Sequence, residues 1–154
     1  MRTQEPVKAS QEPNRSAKLP HAHPRHDDPR SREAALLAVN VALEKKALEP
    51  VLLDVRELAS YCDYILIVSG RSDRQVQAIG DAIVEEFAKD KRRPLGVEGI
   101  GKGQWTLIDF GDLIVHVFYH PARDYYDLES LWIDAARVPL EVPPSARVQP
   151  GEGY

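Results

Sequence analysis

The segment Gln104–His120, QWTLIDFGDLIVHVFYH, does most to limit how this chain can fold. On both sides of Phe110-Gly111 polar and apolar residues alternate with period two, the pattern of two antiparallel strands joined by a tight turn. A turn at Phe110-Gly111 pairs Asp109 with Asp112, Ile108 with Leu113, Leu107 with Ile114 and Trp105 with His116. One face then carries Thr106, Ile108, Leu113, Val115 and Val117, which is almost purely aliphatic and must be covered by another layer. The other carries Trp105, Leu107, Asp109, Asp112, Ile114, His116 and Phe118. Such a face, aromatic and apolar with acids at its edge, is either packed under a helix or exposed as a binding patch.

The remaining elements follow from local signals. Asp28-Pro29 resembles an N-cap with proline at the first helical position, and Ala35, Leu36, Val39, Leu43 and Ala47 recur at helical spacing in a helix that must stop before Pro50. VLLDV (Val51–Val55) and YILIVSG (Tyr64–Gly70) are short, β-branched and apolar, hence strands, the second well buried. Ser72 and Gln75 fit a capping box, and Val76, Ile79, Ile83 and Phe87 make one apolar stripe on a helix running to about Lys89. LGVEG reads as a short edge strand, and the glycines around Lys102 as a hairpin connection. After Pro121, Asp127 can cap a helix whose Leu128, Leu131, Trp132 and Ala135 share a face. The order is α-β-β-α-β-β-β-α, an α/β (α+β) fold with a mixed sheet of about five strands flanked by helices.

At 154 residues the chain fits one domain. Residues 1–30 hold five prolines and scarcely any large apolar side chain, and are expected to be a disordered arm; 137–154, with four prolines, are expected to be a flexible tail. The folded part is then 31–136. It holds twelve Lys and Arg against eighteen Asp and Glu, a net charge of about −6. Phosphate contacts dominate nucleic-acid affinity, so this balance points to a basic protein as partner, with little direct nucleic-acid contact. No apolar run reaches the roughly 18 residues of a membrane span. The single cysteine, Cys62, allows no internal disulfide. With neither a secretory nor an organellar leader pattern, the expected location is the cytoplasm.

Several motifs invite a chemical reading. Asp-Phe-Gly at Asp109–Gly111 lacks the catalytic-loop motif and chain length of a kinase. A metal-dependent nucleotidyltransferase would place phosphates at the helix start after SGRSD, near Ser72, and magnesium on Asp109 and Asp112. Those acids, spaced Asp-x-x-Asp across a turn, are better suited to bonding local backbone amides. His116 and His120 fall short of the three or four protein ligands of a zinc site, and HAHPRH (His21, His23, His26) lies in the arm. KDKRRP (Lys89–Pro94) suits a solvated helix end, where cations complement the dipole. Neither a catalytic residue, a metal site nor a cofactor is expected.

Taken together, DYILIVSGRSDRQVQAIGDAI, PLGVEG, QWTLIDFGDLIVHVF and ARDYYDLESLW resemble the ribosomal silencing factor family, also called RsfS or Iojap-like, across about residues 31–136. The shared positions run in the family's order: Ser69-Gly70, Ser72, Arg74-Gln75-Val76, Gly96, Glu98-Gly99, Trp105, Asp109, Gly111-Asp112, His116, Tyr126, Leu128-Glu129 and Leu131-Trp132. Gly80 departs from the pattern, where the family motif usually has alanine. The resemblance implies a fold related in topology to nucleotidyltransferases but without established transferase activity, often homodimeric. It also implies a function: binding the large ribosomal subunit through its protein numbered fourteen and sterically blocking the small subunit, which represses translation when nutrients run short. Organellar members are linked to large-subunit assembly. An acidic domain suits a basic ribosomal protein, and the expected contact residues are Trp105, Leu107, Asp109 and Asp112, with His116, Tyr119, Arg123 and Tyr126.

Overall fold

The run Tyr64–Gly70 forms a strand buried along its whole length, and the rest of the sheet is built outward from it. The computed structural model describes residues 28–148. By its contacts the chain divides into Met1–Arg30 and Ser31–Tyr154, and the second unit carries the fold. The expected N-terminal arm lies, as far as Asp27, outside the described residues.

In chain order the elements are α1 (Pro29–Glu44), β1 (Leu48–Asp54), β2 (Tyr64–Gly70), α2 (Asp73–Lys89), β3 (Gly96–Ile100), β4 (Trp105–Asp109), β5 (Leu113–Tyr119), α3 (His120–Tyr126), α4 (Leu128–Leu131), β6 (Ala136–Arg137) and a 3₁₀ turn at Pro144–Ala146. They form a mixed α/β domain around one six-stranded sheet of order β3-β4-β5-β2-β1-β6. Strands β2 and β5 are parallel, and every other pair is antiparallel. A parallel neighbour requires a crossover, and α2 with the β3–β4 hairpin supplies it.

Helix α2 starts as its sequence predicts. The Ser72 hydroxyl accepts from the Gln75 amide at 3.1 Å, while the Gln75 side-chain oxygen accepts from the Arg71 amide at 2.6 Å. Its stripe Val76, Ile79, Ile83 and Phe87 packs with Ala35, Ala38, Val39 and Ala42 of α1 onto the aliphatic sheet face, where Leu66, Val68, Ile108, Leu113, Val115 and Val117 are buried. The other face is smaller and more aromatic. Ile65, Ile67 and Phe118 lie beneath Val55, Ala59 and Cys62 of the 55–62 loop and beneath Tyr126, Leu128 and Trp132. Among the described residues this cover reaches only Trp105 of β4, so the rest of β4 and all of β3 are bare on that side.

Gly80 stands buried in α2 with room for a methyl group, because a Cβ there would meet Ile108 Cδ1 at 3.6 Å and Thr106 Cγ2 at 3.8 Å, ordinary contact distances. Gly80→Ala should therefore stabilise the domain by about 1 kcal/mol through helix propensity and a less disordered unfolded chain. Urea unfolding would show this as a higher midpoint with an unchanged slope.

Three expectations need correction. The sheet has a sixth strand: Leu53 pairs with Arg137 and Asp54 with Ala136, and the Val138 amide donates to the Leu52 carbonyl at 2.8 Å. As far as Val148, the tail expected to be flexible is therefore laid along β1. Val138 and Ala146 are buried, and Glu49 holds Arg147 at 3.0 Å and the Val148 amide at 2.9 Å. Proline density had suggested a loose tail, but proline is tolerated along an edge where its missing N–H is not needed.

The final helix is the second correction. The helix expected after Asp127 is a single turn, Leu128–Leu131, and a separate helix, His120–Tyr126, precedes it, with Asp127 between the two at a left-handed φ of 47°. Leu128, Trp132 and Ala135 pack as expected, but Leu131 is 76% exposed.

The third concerns the hairpin, which turns one residue later than expected. The Phe110 amide donates to the Leu113 carbonyl at 2.8 Å, with Gly111 at φ 93° and Asp112 between them. Every pairing moves by two: Ile108 meets Val115, Leu107 meets His116, Asp109 meets Ile114 and Trp105 meets Phe118. A slip by an even number keeps each side chain on its face, so the two faces are as expected although the partners are not.

Candidate functional site

The bare side of β4 and β3 is set by the ladder between them. Trp105 pairs with Ile100, Leu107 with Glu98 and Asp109 with Gly96, and directly paired residues share a face. The result is an apolar strip of Ile100, Trp105 and Leu107, each partly exposed, with Glu98 and Asp109 as its acids. Leu107 belongs to neither buried cluster. Glu98 and Ile100 were not among the expected contact residues. LGVEG already read as an edge strand, but only its register against β4 places these two beside Trp105.

Trp105 is held from three sides. Its indole stacks on Phe118 with ring centroids 4.9 Å apart, meets Tyr126 at 4.7 Å, and donates from Nε1 to Nδ1 of His116 at 3.0 Å. Indole N–H can only donate, so Nδ1 of His116 must be the lone-pair nitrogen and the ring is neutral with its proton on Nε2. Burial agrees with this, pushing the imidazole down to about 4. His116 therefore supports the indole from beneath; only 6% of it is exposed.

The other expected contact residues are not all brought together. The Asp109 carboxylate accepts from the Gly111 amide at 2.8 Å, the local turn bond its spacing suggested, and remains partly exposed at the end of the strip. Asp112 is bonded to Arg92 at 2.6 Å, and Arg92 also donates to the Phe110 carbonyl and lies over the Phe87 and Phe110 rings. Tyr119 packs with the α1/α2 cluster, away from the Trp105 side. Arg123 is 5% exposed, and its guanidinium donates to both Glu129 oxygens at 3.1 and 3.3 Å and to the Ser69 hydroxyl at 3.0 Å. It is a fastener beneath the α3–α4 corner. Tyr126 does belong with the strip, through Trp105.

The family model described as ribosomal silencing factor during starvation matches residues 28–152. The chain belongs to the ribosomal silencing factor family. The ribosomal silencing factor of Halalkalibacterium halodurans is 40% identical over 111 residues, covering 72% of this chain and 95% of that protein. A crystal structure of a Chromobacterium violaceum protein, 31% identical, superposes with a TM-score of 0.64 and covers 75% of this chain and 94% of that one. A mouse relative named mitochondrial assembly of ribosomal large subunit protein 1 is 28% identical over 99 residues, covering 62% of this chain and 43% of its own length.

The residues that a transferase reading would combine lie at opposite ends of this silencing-factor sheet. Ser72 follows Gly70, which pairs with Tyr119 at the finish of β5, whereas Asp109 pairs with Ile114 near its start. Five residues of strand between these points are about 16 Å. Among the described residues, no three His, Cys, Asp or Glu side chains are grouped to hold a metal. His120, expected to continue the strand alternation from His116, instead opens α3, where burial and neighbouring Arg123 hold its imidazole below the ordinary value.

His116 makes stability depend on pH. Its folded value lies below its unfolded one, so the unfolded chain takes up the proton first as pH falls. The contribution is complete above about 6.5 and is lost progressively down to about 4. Denaturation at pH 7 and pH 4.5 should show a loss on the order of 2–3 kcal/mol from this group, and a His116→Gln variant should show a smaller dependence.

Proposed function

We propose that this chain binds the large ribosomal subunit through the Ile100–Trp105–Leu107 strip, taking as partner a basic ribosomal protein, the one numbered fourteen. Bound there, it occupies surface that the small subunit needs, prevents joining, and lowers translation in the cytoplasm when nutrients run short. The action is steric: the chain contributes shape and charge, and no bond is made or broken.

The observation that carries this reading is the apolar strip of Ile100 and Leu107 anchored by the partly exposed Trp105. Aromatic anchors with a charged rim are where interface energy concentrates. Glu98 and Asp109 at the strip, in a domain of net charge about −6, favour a basic partner and speed its approach. Family membership points to the ribosome. The name of the mouse relative supports a second reading, in which binding the large subunit serves its assembly.

Co-sedimentation of the full chain with purified 50S subunits, followed by a joining assay with added 30S subunits, tests both. Binding with reduced 70S formation is the expected result. Binding with normal joining would favour the assembly role, and absence of binding would overturn both. Titration with nucleotide and magnesium, expected to show no saturable binding, addresses the transferase alternative. Mass measurement of the free protein addresses the homodimer that the family resemblance implies.

A further inference from the structure

The net charge of the domain averages over cations that are not evenly spread. Of the twelve Lys and Arg between residues 31 and 136, five gather at the end of the sheet where β2 and β5 finish: Lys45, Lys46, Arg71, Arg74 and Lys102. All five are exposed. Bonds within the chain bring them there. Gln75 donates through Nε2 to the carbonyls of Lys45 and Lys46 at 3.1 and 3.0 Å, drawing the end of α1 against the start of α2, where Arg71 and Arg74 flank Ser72. From the opposite direction the β3–β4 turn delivers Lys102, which lines one recess of about 340 Å³ together with Arg71 and Tyr119. The acids of the same segments are Glu44 and Asp73, and Glu49 and Asp124 lie near Arg71 around His120, so the five cations keep an excess of one.

This cationic end is continuous with the strip. Lys102 lies three residues before Trp105, and the same turn rests on Tyr126, since a Cβ at Gly101 would lie 3.6 Å from the Tyr126 hydroxyl. Asp109, the acid of the strip in β4, lies at its far end. The surface therefore changes sign along its length, from carboxylates beside Leu107 to cations beyond Trp105.

We propose that this end is a second contact, taken by the phosphate backbone of ribosomal RNA next to the basic protein that the Trp105 strip engages; it rests on the ribosomal reading above. Lys and Arg on exposed, flexible stems suit phosphate oxygens, gain from counterion release and carry no base sequence information. The acidity of the rest of the domain keeps the chain from binding RNA indiscriminately. A surface of two signs also fixes orientation, because a reversed pose would set cations against a basic protein and carboxylates against phosphates.

The test uses the full chain with Lys46→Glu, Arg74→Glu and Lys102→Glu combined, titrated against purified 50S subunits over a potassium chloride series. The dissociation constant should rise about tenfold or more near 0.1 M salt, and the plot of log affinity against log salt should become shallower by about two. Binding to the purified basic ribosomal protein alone should not change. A photocrosslinker at position 102 should capture ribosomal RNA. The neutral Lys46→Gln/Lys102→Gln variant should move the same way by less, which guards against a folding defect in the reversal. Unchanged affinity and salt slope would overturn the proposal, as would capture of protein in place of RNA. Loss of binding in Trp105→Ala alone bears on the strip, so failure of either contact is read separately.

Discussion

Alanine at Trp105 is expected to weaken large-subunit binding by about 2 kcal/mol or more, roughly thirty-fold in Kd. The indole is the largest partly exposed group of the strip, held against Phe118 and Tyr126 before any partner arrives, so little ordering is required on binding. The same support makes the substitution costly to the fold. Removing the indole strips cover from Phe118 and takes the donor from buried His116, for a loss on the order of 2 kcal/mol in stability. Two companion variants separate these effects. Trp105→Phe keeps the stacking and should keep most of the binding while still orphaning the imidazole. Leu107→Ala, at a residue in neither buried cluster, should weaken binding with little change in the unfolding midpoint. Co-sedimentation with 50S subunits, each variant first shown to be folded by circular dichroism, makes the comparison. Full binding by folded Trp105→Ala would remove the strip from the interface.

Arg123→Ala should destabilise the domain by about 2–3 kcal/mol, because it leaves Glu129 and the Ser69 hydroxyl without the guanidinium that satisfies both. The figure is held below that of a fully buried pair because the Glu129 side chain is 27% exposed and can recover some hydration. Pairing Arg123→Met with Glu129→Leu should recover most of the loss, since two apolar groups leave no stranded charge. The single variant should also bind the large subunit less well, although Arg123 itself is only 5% exposed. It ties the end of β2 to α4, and through that corner holds Tyr126 against Trp105. Urea unfolding of the three proteins, with 50S binding measured on the same samples, checks both statements. A single variant as stable as the parent would show that the pair contributes little.

Local signals were legible in the sequence and long-range ones were not. Tyr64–Gly70 and the helix ending at Lys89 were readable because a continuous apolar run and a capped 3.6-residue stripe need no knowledge of what packs on them. The hairpin faces were readable for a similar reason, since alternation is blind to a slip of two. Its register was misplaced by one turn position: Gly111-Asp112, with Gly111 at φ 93°, are the two central residues and Phe110 and Leu113 close the turn, which the Arg92–Asp112 pair then braces from twenty residues away. The tail was misread because its pairing partner is β1, more than eighty residues earlier, while local composition pointed to disorder. Among the expected contact residues, Trp105, Leu107, Asp109 and Tyr126 do meet at the bare strip. Arg123 and Tyr119 do not, because a charged or aromatic residue beside a motif looks the same in sequence whether it faces out or in. Cations scattered over Lys45–Lys102 became a cluster only once α1 and the β3–β4 turn met at the start of α2.

The two borders of the sheet differ in what they can still accept. At one, Ala136–Arg137 and the strap to Val148 seal β1, leaving at most a two-residue ladder outside it. At the other, β3 is a five-residue edge strand whose alternate residues turn their backbone groups outward, with Leu95 and Val97 exposed and no atom within 4 Å of where a Cβ would stand at glycines 96 and 99. The two borders are thus unequal: among the described residues a further strand has a five-residue edge to join along β3 and only a two-residue one beyond β1.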